Sequence, residues 1–353
     1  MDITKDNNRR RYFNIIRNLN LQNEQEISHE LKDKKIYSGN NKDTFPLSSL
    51  HFELTSKCNA FCKHCYNDSN NIISDRMTPD NWIDFAKYIV DHGGVFENLL
   101  SGGEPLLFGS KLLDIMDIFN DDGTIFYLMT NGFLMTPELA NRLSKYRYHW
   151  LQISIDGVNE EYHDNFRNLL GSWKKAVKAA QYVSDSNIPL KIAHCVTPYN
   201  LQDVDSMCEL AVSLGAKSIV LGGVSLSGRT SLNKEILLSE NDKTVLSDKV
   251  LCNQKKYSGK LIVKFANSVK SGLLNHSKNP RGSAIIRPNG DIRIDGMAPF
   301  VIGNILDDDF QKIWEQKIDT CWNDSRVKNF IDNFNDADLN NDYINYLDKD
   351  ICI

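Results

Sequence analysis

The sequence predicts an α/β fold, a parallel sheet that curls into a barrel or part of one, followed by a smaller C-terminal domain. Three observations predict it. From Leu50 onward, short apolar runs rich in Ile, Val, Phe and Leu alternate with amphipathic segments of helical length, which is the pattern of strand-helix units. After Gly228 that alternation gives way to short strands around an Asn-Gly turn. At 353 residues the chain also exceeds the size at which one hydrophobic core usually stops growing.

The apolar runs are Leu50–Leu54, Val95–Leu100, Thr124–Met129, Trp150–Ile155, Leu190–Val196 and Ser218–Leu221. Helical candidates fill the intervals: Pro79–Asp91, Ser110–Phe119, Pro137–Lys145, Ser172–Ser184 and Leu201–Leu214. Thr78 and Thr136 each precede a proline at a first helical position, a start signal for two of them. Six such units cross over right-handedly and cover both faces of a parallel sheet, with functional loops at the carboxyl ends of the strands. Residues 1–48 are polar and Asn/Lys-rich, with a helical stretch over Tyr12–Leu31 and a loop through Ser38, Gly39, Asn40 and Asn41; they read as an N-terminal extension. The core is expected over 49–230. Residues 231–353 form the smaller domain, with a helix near Ser239–Val250, strands at Lys260–Phe265 and Ser283–Arg287, a hairpin through Pro288, Asn289, Gly290 and Asp291 into Ile292–Ile294, and a terminal helical region from Ile313 and Trp314.

Composition narrows the function. The formal charge is −5 and no arm is strongly basic, which argues against nucleic-acid binding. The basic start of the chain is not followed by an apolar stretch, and no run approaches membrane-spanning length, so the expectation is a soluble, cytoplasmic protein. Eight cysteines in such a chain are not read as disulfides. Three of them, Cys58, Cys62 and Cys65, fall within eight residues and point to metal; the scattered Cys195, Cys208, Cys252, Cys321 and Cys352 read first as small buried hydrophobes.

The spacing Cys58-x3-Cys62-x2-Cys65 puts three thiolates on one loop, each able to ligate an iron of a cubane cluster and leaving one iron open. Zinc closed by His64 or a distant cysteine is the competing reading, although His64 adjoins Cys65 awkwardly and no second CxxC is present. The next strand end carries Gly102-Gly103-Glu104-Pro105, where two glycines admit a ligand close to the backbone and a carboxylate suits an ammonium group.

Cys58-x3-Cys62-Lys63-His64-Cys65-Tyr66 together with Gly102-Gly103-Glu104-Pro105 resembles the radical S-adenosylmethionine (SAM) superfamily. The resemblance covers about Leu50 to Arg229. It implies a partial (β/α)6 TIM-like barrel holding one 4Fe-4S cluster, whose open iron chelates SAM. Reduction of SAM then releases methionine and a 5′-deoxyadenosyl radical that abstracts hydrogen from a substrate carbon. By the same resemblance His64 packs near adenine, and Gly102, Gly103 and Glu104 hold the methionyl amine. Ser154-Ile155-Asp156-Gly157 resembles the ribose-contacting segment at strand four, with Ser154 the first candidate and a strand-end cap the alternative. His163-Asp164-x2-Arg167 resembles a stretch of the peptide-modifying branch, in which Arg167 either pairs with the SAM carboxylate or forms a surface salt bridge. Asn131, in Thr130-Asn131-Gly132, matches a strand-three motif or shapes a turn.

Gly228-Arg229, Ile286-Arg287-Pro288-Asn289-Gly290-Asp291, Gly303-Asn304-Ile305 and Ile313-Trp314 resemble the tail of radical SAM enzymes with an α+β SPASM or twitch domain. That branch places cysteines before and after the hairpin. Here those places read Asn279-Pro280-Arg281-Gly282 and Ile294-Asp295-Gly296-Met297, so no auxiliary cluster is expected. The resemblance implies a maturase that epimerises or crosslinks a peptide or protein, with Cys195 and Cys252 as candidate hydrogen donors. An electron donor such as flavodoxin or ferredoxin is an implied partner. Residues 1–48 are too short for a winged-helix leader-binding module, which leaves leader recognition to another surface or a separate protein. A small-molecule substrate such as a tetrapyrrole precursor, and a zinc-closed binding or structural protein, are the alternatives.

Overall fold

A computed structural model describes residues 49–70, 75–92, 94–266, 268–334 and 350–353. The extension expected over 1–48, with its helix and loop, lies outside the described residues. All six expected strands form: β1 (Ser49–Glu53), β2 (Glu97–Ser101), β3 (Ile125–Thr130), β4 (Tyr148–Ser154), β5 (Leu190–Val196) and β6 (Ser218–Gly223). They lie side by side in chain order and pair in parallel throughout. The connecting helices are α1 (Pro79–Asp91), α2 (Ser110–Asp121), α3 (Pro137–Leu143), α4 (Glu160–Arg167), α5 (Ser172–Asp185) and α6 (Val204–Ser213).

Period-two alternation in the strands decides which side chains meet the helices. In β1, Leu50 and Phe52 are fully buried on the helix side, and Phe52 sits 4.8 Å from Trp82 and 5.7 Å from Phe119 between ring centroids. Trp82 satisfies its indole N–H by donating to the Leu54 carbonyl at 3.0 Å, so α1 is pinned where β1 ends and the cysteine loop begins. The helix starts as its sequence predicts. Thr78 Oγ1 accepts from the Asn81 N–H, Asn81 reciprocates at the Thr78 N–H, and Thr136 caps α3 through the Leu139 N–H.

The sheet continues past residue 230. β7 (Ile262–Phe265), expected in the smaller domain, pairs in parallel with β6 and extends the core sheet; α7 (Glu240–Lys256) is the crossover that carries the chain there. β8 (Ser283–Ile286) then returns to the opposite side and pairs in parallel with β1. The Asn-Gly turn forms as expected, with Gly290 at φ +92° and β9 (Asp291–Arg293) antiparallel to β8. β10 (Phe300–Asn304) and β11 (Ile351–Cys352) complete an eleven-stranded sheet, ordered β11-β10-β9-β8-β1-β2-β3-β4-β5-β6-β7. Its two ends, β11 and β7, are not neighbours in the strand order, so the barrel is partial. Helices α8 (Val269–Lys278), α9 (Phe310–Cys321) and α10 (Ser325–Asn333) pack around the C-terminal strands, α9 burying Phe310, Ile313 and Trp314. No described helix is long and apolar enough to cross a membrane.

Candidate active site

The cysteine loop leaves β1 at Leu54 and is folded by its own polar side chains. Asp75 closes it at the base, accepting from the Ser56 N–H at 2.9 Å and from the Thr55 hydroxyl. Asn70 crosses the loop, accepting from the Cys58 N–H at 2.8 Å and donating to the Ala60 carbonyl at 3.1 Å. All three thiols are free and half-buried. Backbone N–H groups already point at two sulfurs, Ala60 at Cys58 Sγ (3.4 Å) and Ser69 at Cys65 Sγ (3.3 Å). Burial pushes the Cys58 thiol up to about 11 and Cys62 up to about 12, so a metal must compensate for making them thiolates. Among the described residues, the group of His, Cys, Asp or Glu whose ligand atoms all lie within 4.8 Å of one another is His64, Asp156 and Cys195. The three loop thiols are a soft donor set that can each ligate one iron of a cubane and leave the fourth iron open. The donor set suits a cluster better than one ion.

The strand end after β2 lies on this loop. Gly103 N–H donates to the Thr55 carbonyl at 2.6 Å and Glu104 N–H to the Lys57 carbonyl at 3.0 Å. Both glycines are required by contact: a Cβ on Gly102, at φ +133°, would sit 2.6 Å from the Thr55 oxygen, and one on Gly103 would sit 2.1 Å from the Lys57 oxygen. Glu104 is fully buried. Its Oε1 accepts from Thr130 Oγ1 (2.6 Å) and the Leu106 N–H (3.0 Å), and Oε2 accepts from the Asn131 N–H (2.8 Å). Three donors leave one acceptor position of the four on a carboxylate, enough for an ammonium group. Burial nevertheless pushes this carboxyl above its ordinary value, against the donors' pull. Asn131 also reaches Asn59 Oδ1 at 2.8 Å and Cys58 Sγ at 3.8 Å, so it joins the cysteine loop to β3 as well as shaping its turn.

The ends of β4 and β5 converge on Asp156, which is fully buried. Its Oδ1 accepts from the Cys195 N–H at 2.8 Å, and its Oδ2 lies 2.7 Å from the Arg167 guanidinium. Its N–H donates to His163 Nδ1 and its carbonyl accepts from Asn200. Burial alone would raise this carboxyl; Arg167 foremost, then His64 and His163, reverse that and hold it well below the usual range. Arg167 is therefore a buried ion-pair partner of Asp156 and not a surface salt bridge, because α4, a helix the sequence reading did not assign, turns it inward. His64 stacks on Phe166 at 4.2 Å and 7°, with Nε2 3.8 Å from Asp156 Oδ2, and burial lowers it to about 4, so the ring is neutral. Cys195 belongs to the same cluster, and burial pushes its thiol far up, keeping it protonated. Ser154 ends β4 half-buried, in register with Ala193.

Cys58, Cys62, Cys65, His64, Glu104, Asn131, Asp156, Arg167 and Cys195 are thus brought together. Cys252 is not: it lies exposed on α7, in the outer helix layer, where Asn253 of the same helix bonds Asp205 of α6. Sequence reasoning missed the site roles of Thr130, which directly precedes Asn131 in its motif, and of Asn70, which lies beyond the cysteine motif in a polar stretch with no signal of its own. In the C-terminal region the places lacking cysteine carry polar contacts. Arg281 forms a two-pronged pair with Asp319, and Asp295 accepts from the Met297 N–H at 2.7 Å and approaches His276 at 2.6 Å.

Residues 52–211 match the radical SAM superfamily. The AdoMet-dependent heme synthase of Methanosarcina barkeri is 27% identical over 293 residues, covering 75% of this chain and 81% of that protein. The antilisterial bacteriocin subtilosin biosynthesis protein AlbA of Bacillus subtilis is 26% identical over 291 residues, covering 80% of this chain and 62% of its own length. In fold, the chain is similar to Streptococcus suis SuiB bound to S-adenosylmethionine, with a TM-score of 0.65 at 14% identity over 88% of this chain and 76% of that one, and to SuiB bound to its precursor peptide SuiA, at a TM-score of 0.63.

Proposed function

Because this chain is a radical SAM enzyme, we propose that its substrate is a peptide or protein from which it abstracts hydrogen in order to epimerise or crosslink a residue. Cys58, Cys62 and Cys65 would hold a 4Fe-4S cluster, which when bound would supply the electron for reductive cleavage of SAM. The chain's own residues bind and orient. Glu104 offers its remaining acceptor position to the methionyl amine. Arg167, already paired with Asp156, presents a buried Nε without a hydrogen-bond partner that suits the SAM carboxylate. His64 offers a neutral ring to the adenine, and Ser154 a hydroxyl to the ribose. Cys195 holds a proton on sulfur and is the better placed of the two candidate hydrogen donors.

The observation that carries the peptide reading is the hairpin β8–β9, which resembles the SPASM or twitch tail and joins the core sheet through the pairing of β8 with β1. The similarity to a bacteriocin biosynthesis protein and to the fold of SuiB bound to precursor peptide SuiA supports the same reading. The similarity to a heme synthase over most of its length favours a second reading, a tetrapyrrole precursor as substrate. Incubating the reduced enzyme and SAM with peptides encoded beside it, and separately with porphyrin precursors, tests both through 5′-deoxyadenosine and product mass. Loss of two hydrogens from a peptide means crosslinking, and solvent deuterium uptake without mass change in ordinary water means epimerisation. Turnover of the porphyrin precursor alone overturns the first reading. In either case an external one-electron donor of the flavodoxin or ferredoxin kind is required, and leader recognition falls to another surface or a separate protein.

A further inference from the structure

The 310 turn Gly228–Leu232, beyond β6, grips the cysteine loop from behind. Arg229 is 3% exposed, and its backbone N–H donates to the Cys65 carbonyl at 2.9 Å. Its Nε donates to the Cys62 carbonyl at 2.8 Å, and one terminal nitrogen donates to Asp68 Oδ1 at 2.9 Å and the Ser69 carbonyl at 3.0 Å. The guanidinium lies 3.6 Å over the Phe61 ring. The neighbours continue the grip: Ser227 Oγ donates to the Tyr66 carbonyl, and Asn233 Nδ2 to the Lys63 carbonyl. Gly228, at φ +49°, allows the approach, since a Cβ there would sit 2.4 Å from the Cys65 and Tyr66 oxygens. A single residue remote in sequence thus fixes carbonyls belonging to two of the three ligand cysteines. Arginine is always charged and its donors diverge in a rigid fork, so these contacts are met together in one shape of the loop.

We propose that Arg229 is a positioning residue of the cluster site, holding the cysteine loop in its ligating shape and placing a fixed positive charge behind it. This rests on the family's cluster and is independent of which substrate is used. Groups that orient metal ligands typically change metal retention about 10–100-fold when removed, so Arg229→Gln releases iron to a chelator faster by that range. Loss of the positive charge also lowers the cluster's reduction potential, because the reduced cluster is the more negative form. Arg229→Lys keeps the charge without the fork: iron is lost faster, while the potential stays near that of the unaltered protein. Asp68→Asn leaves the arginine and removes its counter-anion, moving the potential the opposite way.

The experiment uses the anaerobically reconstituted full chain, measuring chelator-driven iron loss and the reduction midpoint, with circular dichroism of each variant to check folding. Iron loss and potential unchanged in Arg229→Gln overturn the proposal. If that variant does not fold, unchanged iron loss in Arg229→Lys together with an unchanged potential in Asp68→Asn overturns it. An unaltered protein that takes up no iron refutes the cofactor assignment instead, a separate outcome read before any variant is compared.

Discussion

Asp156 carries the strongest single test of the site's electrostatics. Asp156→Asn keeps an oxygen for the Cys195 N–H but leaves the Arg167 guanidinium buried without its counter-charge. Breaking a buried ion pair from one side costs about 3–5 kcal/mol, whereas an exposed pair is worth about 0–1 kcal/mol. With side-chain exposures of 8% and 1%, this pair belongs to the first class. Urea unfolding of the metal-free protein followed by tryptophan fluorescence reads the loss. Adding Arg167→Met to Asp156→Asn removes the orphaned charge and is expected to recover a large part of it, giving a coupling energy of about 2–3 kcal/mol. The sign with pH follows from the carboxyl's depressed value. Its contribution is complete above the unfolded aspartate value of about 3.9 and is lost as pH falls below that toward the folded value. The difference between parent and Asp156→Asn is therefore flat from about pH 5 to 8 and narrows below about pH 4. A loss under about 1 kcal/mol, or a difference that widens in acid, refutes the reasoning.

Four further outcomes are expected. Anaerobic reconstitution gives about four irons per chain, the content of one cubane; about eight points to an auxiliary cluster, and alanine at Cys58, Cys62 or Cys65 abolishes 5′-deoxyadenosine formation. Thr130→Val removes a donor from Glu104, costs about 1 kcal/mol and weakens SAM binding, which equilibrium dialysis measures; unchanged affinity removes Glu104 from the SAM site. Phe52→Ala opens a cavity between β1 and its helices and costs about 3–5 kcal/mol in the same urea assay. Cys252→Ala retains full product, while Cys195→Ala, if epimerisation is the reaction, forms 5′-deoxyadenosine without the epimer; full product from both variants removes the two thiols as donors.

The strands and most helices were legible because each carries its burial pattern locally. Thr78 and Thr136 with their following prolines marked α1 and α3 to the residue at the start, and Asn289-Gly290 marked the hairpin. What was not legible is pairing. Ile262–Phe265 reads as a short strand in any context, and its assignment to the core sheet depends on where α7 delivers it. Likewise, the eight-residue α4 hides in a stretch rich in charged and polar residues, where His163 and Arg167 are buried by ion pairing and hydrogen bonding with Asp156 and not by apolar periodicity.

The same division runs through the site. The groups expected to meet iron or SAM were recognisable because their chemistry demands particular residue types at fixed local spacing: three thiols on one loop, and glycines where a Cβ would strike Thr55 or Lys57. The groups that shape the site answer to a different constraint, the carbonyls and N–H groups that a tight loop leaves unpaired. Those can be met from anywhere in the chain, and here they are met by Asn70, Asp75 and Arg229. Sequence gives no spacing for such contacts, only the residue at each end. Substitutions at Arg229 and Asp75 are accordingly expected to disturb the cysteine loop as directly as changes within it, although neither position falls inside the cysteine motif.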